Sequence, residues 1–223
     1  AAATSATLSS NDDNIVLLDA SETFGDIDDS TSIQIPAAFS FKVNDDVADG
    51  HTVNFNLHIE YNSGTTFDMP LSVKLQAPKL SVGAITLDDT QGGNGNGRLE
   101  SGETAKITVS NLNTGKSLSP NAVGALSTDS PWLTLSGPVF LGALDATTGQ
   151  ANAVYTVVVA PDAPQVVSAS FDYQVTAGNY DAAKTYGPLV INAIIETFGS
   201  NSFQAFPWQM GGNKPWTIST ASP

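Results

Sequence analysis

The all-β character of the chain is clearest in the stretch Val53-Asn54-Phe55-Asn56-Leu57-His58-Ile59-Glu60-Tyr61. Every second residue in it is apolar, and the residues between are polar or charged. This period of two predicts a β-strand with one face buried and the other in water.

The same alternation recurs along the chain, and clusters of turn-forming residues separate the alternating stretches. The further strands are predicted at 39–43, 105–109 and 171–175, with turns at 49–50, 62–64, 92–97, 113–115 and 177–179. No window keeps a helical period for three turns. Many short strands joined by regular turns predict antiparallel β-sandwiches.

An internal repeat divides the chain into unequal units. Leu8 matches Leu126, Phe55 matches Phe171, and the run 70–73 matches 188–191, at offsets of 116 to 118 residues. The repeat predicts a partial sandwich over residues 1–77 and a complete one over 78–194. A third, truncated domain is predicted at 195–223.

The first unit is expected to be N-terminally incomplete, because the segment 79–124 has no counterpart in it. Two or three strands are expected to be missing, which leaves an open sandwich edge that invites pairing or aggregation. We expect the N-terminal segment, the second unit or a neighbouring molecule to cover this edge. Short links at 76–78 and 192–194 are expected to restrict bending between the units, with Pro78 fixing the backbone.

Composition excludes several classes of function. The 223 residues include 8 Lys and Arg against 22 Asp and Glu, a net charge of −14, which disfavours nucleic acids and anionic membranes. The chain has no cysteine, so thiol nucleophiles, zinc-thiolate sites and disulfides are excluded. No apolar stretch approaches the roughly 20 residues of a membrane span, so no membrane insertion is expected.

The glycine-rich segment 88–103 is the strongest candidate for a metal site. If a calcium loop begins at Gly92, then Gly97 takes the sharp turn, Leu99 the apolar position and Glu103 the bidentate one. Gly92 departs from the pattern, because an aspartate is expected there. The candidate ligands are Asp88, Asp89, Asn94, Asn96, the carbonyl of Arg98, and Glu103. The alternative is a plain glycine-rich hairpin, since Asn-Gly pairs are common turns.

Catalysis has little support in the sequence. His51 and His58 are interpreted as solvated surface residues, and the paired aspartates lie in predicted loops where carboxylates usually cap backbone N–H groups. A hydrolase would need two carboxylates about 5–9 Å apart in a concave site.

A surface that stacks against sugar rings would be formed by Trp132, Trp208 and Trp216, although Trp132 is more readily explained as a core residue.

Three regions of the chain resemble modules of a known group of bacterial surface proteins. The run Asn94–Thr104 followed by 111–115 resembles the opening of Ig-like modules in gingipain-type cysteine peptidases and related adhesins, and 38–43 with the turn at 49–50 resembles the later half of such a module. The segments 196–198, 206–208 and 215–218 resemble the first strands of a cleaved-adhesin jelly roll.

This resemblance implies that the sandwiches at 1–77 and 78–194 are Ig-like, and that 195–223 is the start of a jelly-roll-like domain. It also implies a secreted or cell-surface bacterial protein and strengthens the calcium interpretation. The chain would be a non-catalytic spacer and adhesion segment whose parent protein is a cysteine peptidase. Its partners would be other domains of that protein and a host or cell-surface protein or glycan. The alternative is a carbohydrate- or protein-binding module.

The C-terminal segment 195–223 is expected to pack against another surface. Two strands alone are marginal in water, so its large apolar groups need cover. These are Phe198, Phe203, Phe206, Trp208 and Trp216. The gap in the first unit is the most plausible surface, reached by strand exchange in a homo-oligomer.

Overall fold

The computed structural model describes residues 1–193, 211–214 and 217. These residues form strands and loops without a helix, which confirms the all-β prediction. The strands are β1 (Thr4–Ser9), β2 (Ile15–Asp19), β3 (Ser21–Gly25), β4 (Ser40–Val43), β5 (Thr52–Tyr61), β6 (Thr65–Lys74), β7 (Leu80–Asp88), β8 (Thr104–Asn113), β9 (Asn121–Thr128), β10 (Leu133–Leu135), β11 (Val139–Ala143), β12 (Gly149–Val159), β13 (Val167–Ala177) and β14 (Tyr180–Ile191).

The strands form four antiparallel sheets that fall into two groups. In the first group, a four-stranded sheet with the order β3-β1-β5-β6 accompanies a two-stranded sheet, β2-β4. In the second group, two four-stranded sheets have the orders β10-β12-β8-β7 and β11-β9-β13-β14. No described strand of one group pairs with a strand of the other. We refer to residues 1–74 as the first unit and to residues 80–191 as the second unit.

The second unit has a core between its two sheets. On one sheet β8 and β12 alternate buried and outward residues, and on the other β13 does the same. Its largest fully buried side chains include Tyr155, Phe171 and Tyr173. Burial of each large apolar side chain contributes about 1.5–3 kcal/mol, so this core dominates the stability of the unit.

The first unit has a smaller core. Val53 and Phe55 of β5 pack with Ile15 of β2, and Phe41 of β4 stacks at a tilt on Phe55 with ring centroids 5.2 Å apart. Leu75 and Ala77, which follow β6, are buried in the same cluster.

The strand orders of the two units match, as the sequence repeat predicts. The order β3-β1-β5-β6 corresponds to β11-β9-β13-β14, and β2-β4 corresponds to β10-β12. The first unit has no counterpart of β7 and β8 among the described residues. Its two-stranded sheet therefore covers only part of the four-stranded one.

Several predictions concern residues outside the described part of the chain. The jelly-roll-like start at 195–223 lies there apart from residues 211–214 and 217, and so do the aromatic side chains whose packing is predicted. The link at 192–194 is described only as far as Ala193. Within the described residues, no helix has the length and apolarity needed to cross a lipid bilayer.

Candidate functional site

The segment 75–79 joins the two units and is hydrogen-bonded to the first one. Leu75 donates its N–H to the carbonyl of His51 at 2.7 Å and accepts from Gly50 at 3.0 Å. Two residues later, the N–H of Ala77 donates to Oδ1 of Asp49 at 3.1 Å. The link thus continues the edge of the first unit beyond the end of β6.

The same segment is hydrogen-bonded to the second unit. The carbonyl of Ala77 accepts from the N–H of Lys116 at 3.0 Å. Lys79 donates its N–H to Oδ1 of Asn113 at 3.0 Å, and its carbonyl accepts from the N–H of Thr114 at 2.9 Å. Ala77 is therefore bonded to both units at once, through its N–H on one side and its carbonyl on the other.

Asn113, at the end of β8, hydrogen-bonds the link on the side of the second unit. It is buried, and its side-chain oxygen accepts from the N–H groups of Lys79 and Gly115, each at 3.0 Å. Its side-chain nitrogen donates to the carbonyls of Ser117 and Leu144. All the usual hydrogen-bonding positions of this amide are occupied, so the side chain is fixed in one orientation.

Gly115 allows the link to approach closely. A Cβ at this position would meet the carbonyl oxygen of Ala77 and the amide nitrogen of Lys79 well inside van der Waals contact, and would lie 2.6 Å from the carbonyl carbon of Pro78. All three are backbone atoms that cannot rotate away. Glycine is therefore required here by the close approach of two backbone segments.

A groove of about 480 Å³ lies beside the link, between residues of both units. Tyr180, the first residue of β14, lines it and also packs against the core of the first unit. Burial raises the pKa of the Tyr180 hydroxyl, and the carboxylates of Asp46 and Asp45 raise it further. Tyr180 is the one aromatic residue among those described in the groove lining, so it provides no stacking platform of several rings.

The glycine-rich loop brings four of the predicted ligands together. The buried carboxylate of Asp89 accepts from the backbone N–H groups of Asn96 and Gly97, each at 3.0 Å. The carboxylate of Glu103 accepts from the N–H of Asn94 at 3.0 Å. Gly97 has a φ of +75°, and so occupies the left-handed region that its predicted place in the turn requires.

The other two predicted ligands, Asp88 and Arg98, are not part of this group of hydrogen bonds. Asp88 turns to Thr90, whose hydroxyl donates to it at 2.6 Å and lowers its pKa, with a further contribution from the Thr90 N–H. Arg98 is half-buried beside Leu99, which is fully buried in the core of the second unit.

Glu100, which the sequence interpretation did not include, has a central position in the loop. Its two carboxylate oxygens accept from the side-chain nitrogens of Asn94 and Asn96, at 2.6 and 3.1 Å. A bound cation would compete with these hydrogen bonds for the same oxygen atoms. Within the described residues, no group of three or more His, Cys, Asp or Glu side chains is arranged to hold a metal ion.

Both histidines pair with aspartates, which the sequence interpretation missed. Nε2 of His51 lies 2.7 Å from Oδ2 of Asp12, and Nδ1 of His58 lies 2.8 Å from Oδ1 of Asp68. The His58–Asp68 pair could have been predicted from the sequence, because the turn at 62–64 places residue 58 opposite residue 68.

The predicted core role of Trp132 agrees with its partly buried position against the core of the second unit. Trp208 and Trp216 lie outside the described residues.

The chain matches no protein-family model and no curated protein. The resemblance to gingipain-type modules therefore remains a prediction.

Proposed function

We propose that the chain is a non-catalytic spacer and adhesion segment of a large secreted or cell-surface bacterial protein, of the gingipain-like type. The observation that carries this proposal is the bonding of Ala77 to both units. A link bonded on both sides transmits the orientation of one unit to the next. A spacer needs this property if it is to hold a binding or enzymatic domain away from a surface.

The free energy that resists bending can be bounded from these contacts. Bending between Ala77 and Lys79 breaks at least the Lys116–Ala77 and Lys79–Asn113 hydrogen bonds. Each contributes about 0.5–1.5 kcal/mol. A total of about 2 kcal/mol keeps bent forms near the few-per-cent level.

The charge distribution fits an exposed segment of a large assembly. A net charge of −14 on 223 residues favours solubility and opposes self-association. The partners we propose are the other domains of the parent protein and a host or cell-surface protein or glycan.

The glycine-rich loop is proposed as a low-affinity calcium site within the second unit. Its support is the convergence of Asp89, Asn94, Asn96 and Glu103 around a backbone turned at Gly97. Carboxylate, amide and backbone oxygens are the ligands that calcium prefers. The internal bonds of these oxygens mean that the loop also holds its shape without the ion.

Amide hydrogen exchange tests the spacer proposal at the link itself. We expect the N–H groups of Ala77 and Lys79 to be protected to the same degree as strand amides. Asp49→Ala, which removes the acceptor of Ala77, should speed exchange at Ala77 about tenfold and leave most of the chain unchanged. Asp13→Ala, at an exposed side chain, is the matched control. Exchange of Ala77 and Lys79 at the rate of an unstructured peptide would overturn the proposal.

A further inference from the structure

The glycine-rich loop contains the two Asn-Gly pairs of the chain, Asn94-Gly95 and Asn96-Gly97. Residues 91–97 are all exposed, so water reaches both pairs. An asparagine that precedes glycine is prone to lose its side-chain amide, because glycine has no Cβ to hinder the attack of its own nitrogen on the neighbouring side chain. The two pairs are alike in sequence, but the fold gives them different surroundings.

The nitrogen that would attack Asn96 is held by a hydrogen bond. The N–H of Gly97 donates to Oδ1 of Asp89 at 3.0 Å, and Asp89 is only 1% exposed. The attack requires this nitrogen to lose its proton, and a carboxylate that accepts a hydrogen bond from the N–H favours the protonated form. The attack would also remove a hydrogen bond from a buried carboxylate, which costs free energy. Asp89 therefore protects Asn96.

The nitrogen that would attack Asn94 has no such partner. Among the described residues, the N–H of Gly95 donates to no acceptor. The surroundings of Gly95 are also open. Apart from its chain neighbours, the heavy atom nearest to a Cβ placed there is Cγ2 of Thr90, at 3.9 Å. The Gly95 nitrogen is therefore free to approach the side chain of Asn94.

The side-chain amide of Asn94 is hydrogen-bonded at both ends. Its Oδ1 accepts from the N–H of Asn96 at 3.0 Å, and its Nδ2 donates to Oε2 of Glu100 at 2.6 Å. The first contact places an N–H donor at the oxygen on which negative charge develops when the amide carbon is attacked. A donor held in that place stabilises the transition state of the attack.

We infer that Asn94 is a site of spontaneous deamidation in the folded chain, and that Asn96 is protected from it. The Gly95 nitrogen gives up its proton to water and forms a bond to Cγ of Asn94. The Cγ–Nδ2 bond breaks and ammonia leaves, which gives a cyclic succinimide. Water then opens the ring to aspartate or isoaspartate. The net reaction converts one amide and one water molecule to one carboxylate and one ammonium ion.

The modification changes the hydrogen bonds and the charge of the loop. A carboxylate in place of the Asn94 amide has no proton to donate to Glu100, and two neighbouring carboxylates repel each other. The added negative charge also favours a bound calcium ion. This last consequence rests on the proposed calcium site, whereas the modification itself does not.

Peptide mass spectrometry measures both asparagines in one experiment. The full chain is incubated at mildly alkaline pH with chelator, and samples taken over time are digested with trypsin. Cleavage after Lys79 and Arg98 gives the peptide 80–98, whose fragment masses distinguish Asn94 from Asn96. We expect Asn94 to be lost at least about tenfold faster than Asn96, because the hydrogen bond that must break at Asn96 has a charged acceptor. The chelator makes this result independent of the calcium proposal.

Two comparisons test whether the fold causes the difference. In urea the Gly97 N–H is released, so both asparagines should be lost at the same rate. Asp89→Ala should speed the loss of Asn96 about tenfold, and the control Asp88→Ala, at an exposed carboxylate, should not. Equal rates at both sites in the folded chain, faster loss of Asn96, or loss of Asn94 about tenfold slower than in urea would overturn the inference. These outcomes are read from the unmodified chain, so they decide the matter even where Asp89→Ala does not fold.

Discussion

Replacing Gly115 by alanine should disrupt the link between the units. The added methyl group would overlap the backbone of Ala77, Pro78 and Lys79, so the link must move away from β8. The overlap costs about 1–3 kcal/mol. Displacing the link also weakens the Lys79–Asn113 and Lys116–Ala77 hydrogen bonds, at about 1 kcal/mol each.

We therefore expect Gly115→Ala to lower the free energy of unfolding by about 3–5 kcal/mol, or the melting temperature by roughly 6–20 °C. Urea unfolding and calorimetry measure these quantities. Gly137→Ala is the matched control, because nothing lies within 4 Å of a Cβ at that position. It should change stability by less than about 0.5 kcal/mol. If both variants unfold alike, the close approach at Gly115 does not hold the link.

Three further predictions concern the core, the surface carboxylates and the loop. Tyr173→Phe should cost about 1–3 kcal/mol in urea unfolding, because the Tyr173 hydroxyl donates to buried Asn111 at 2.8 Å. Tyr155→Phe should cost less, because the buried Tyr155 hydroxyl makes no well-formed hydrogen bond among the described residues, and equal losses would contradict this. The pKa values of the Asp12, Asp68 and Asp88 carboxyls are lowered by hydrogen bonds from Asn14, Asn56 and Thr90, respectively. The contribution of these carboxylates to stability is therefore present above the ordinary carboxyl pKa of 3.8 and is lost as the pH falls below it. Replacing the three aspartates by Asn should flatten the acid side of the plot of stability against pH, and an unchanged plot would refute the assignment. Calcium at ~2 mM should stabilise the chain by ~0.7–1.8 kcal/mol in thermal melts against chelator, and an identical shift in Glu103→Ala, or no shift in the unmodified chain, would refute the site.

Strand positions could be predicted from the sequence where alternation reports burial directly. β5 and β8 are such strands, because one face of each lies against a core. Strand β6 shows the limit of this reasoning. Phe67 and Val73 alternate like core residues, but whether another strand covers them depends on a sheet elsewhere in the fold.

The candidate site was predicted in part. The turn at Gly97 and the buried position of Leu99 follow from local sequence, since each depends on neighbouring backbone geometry. The contacts that fix the link do not. Asp49 lies 28 residues from Ala77, and Asn113 lies 34 residues from Lys79. Contacts at such separations depend on how the units fold and meet.

The central claim is that the link holds the two units in one orientation, and a distance distribution across it is the most direct test. The chain has no cysteine, so spin labels can be attached at Thr66→Cys on β6 and Thr134→Cys on β10, both at exposed positions. Double electron–electron resonance should give a single narrow distance distribution, which Gly115→Ala broadens and Gly137→Ala leaves unchanged. A broad distribution in the labelled chain without further substitution, as wide as that of Gly115→Ala, would contradict the account.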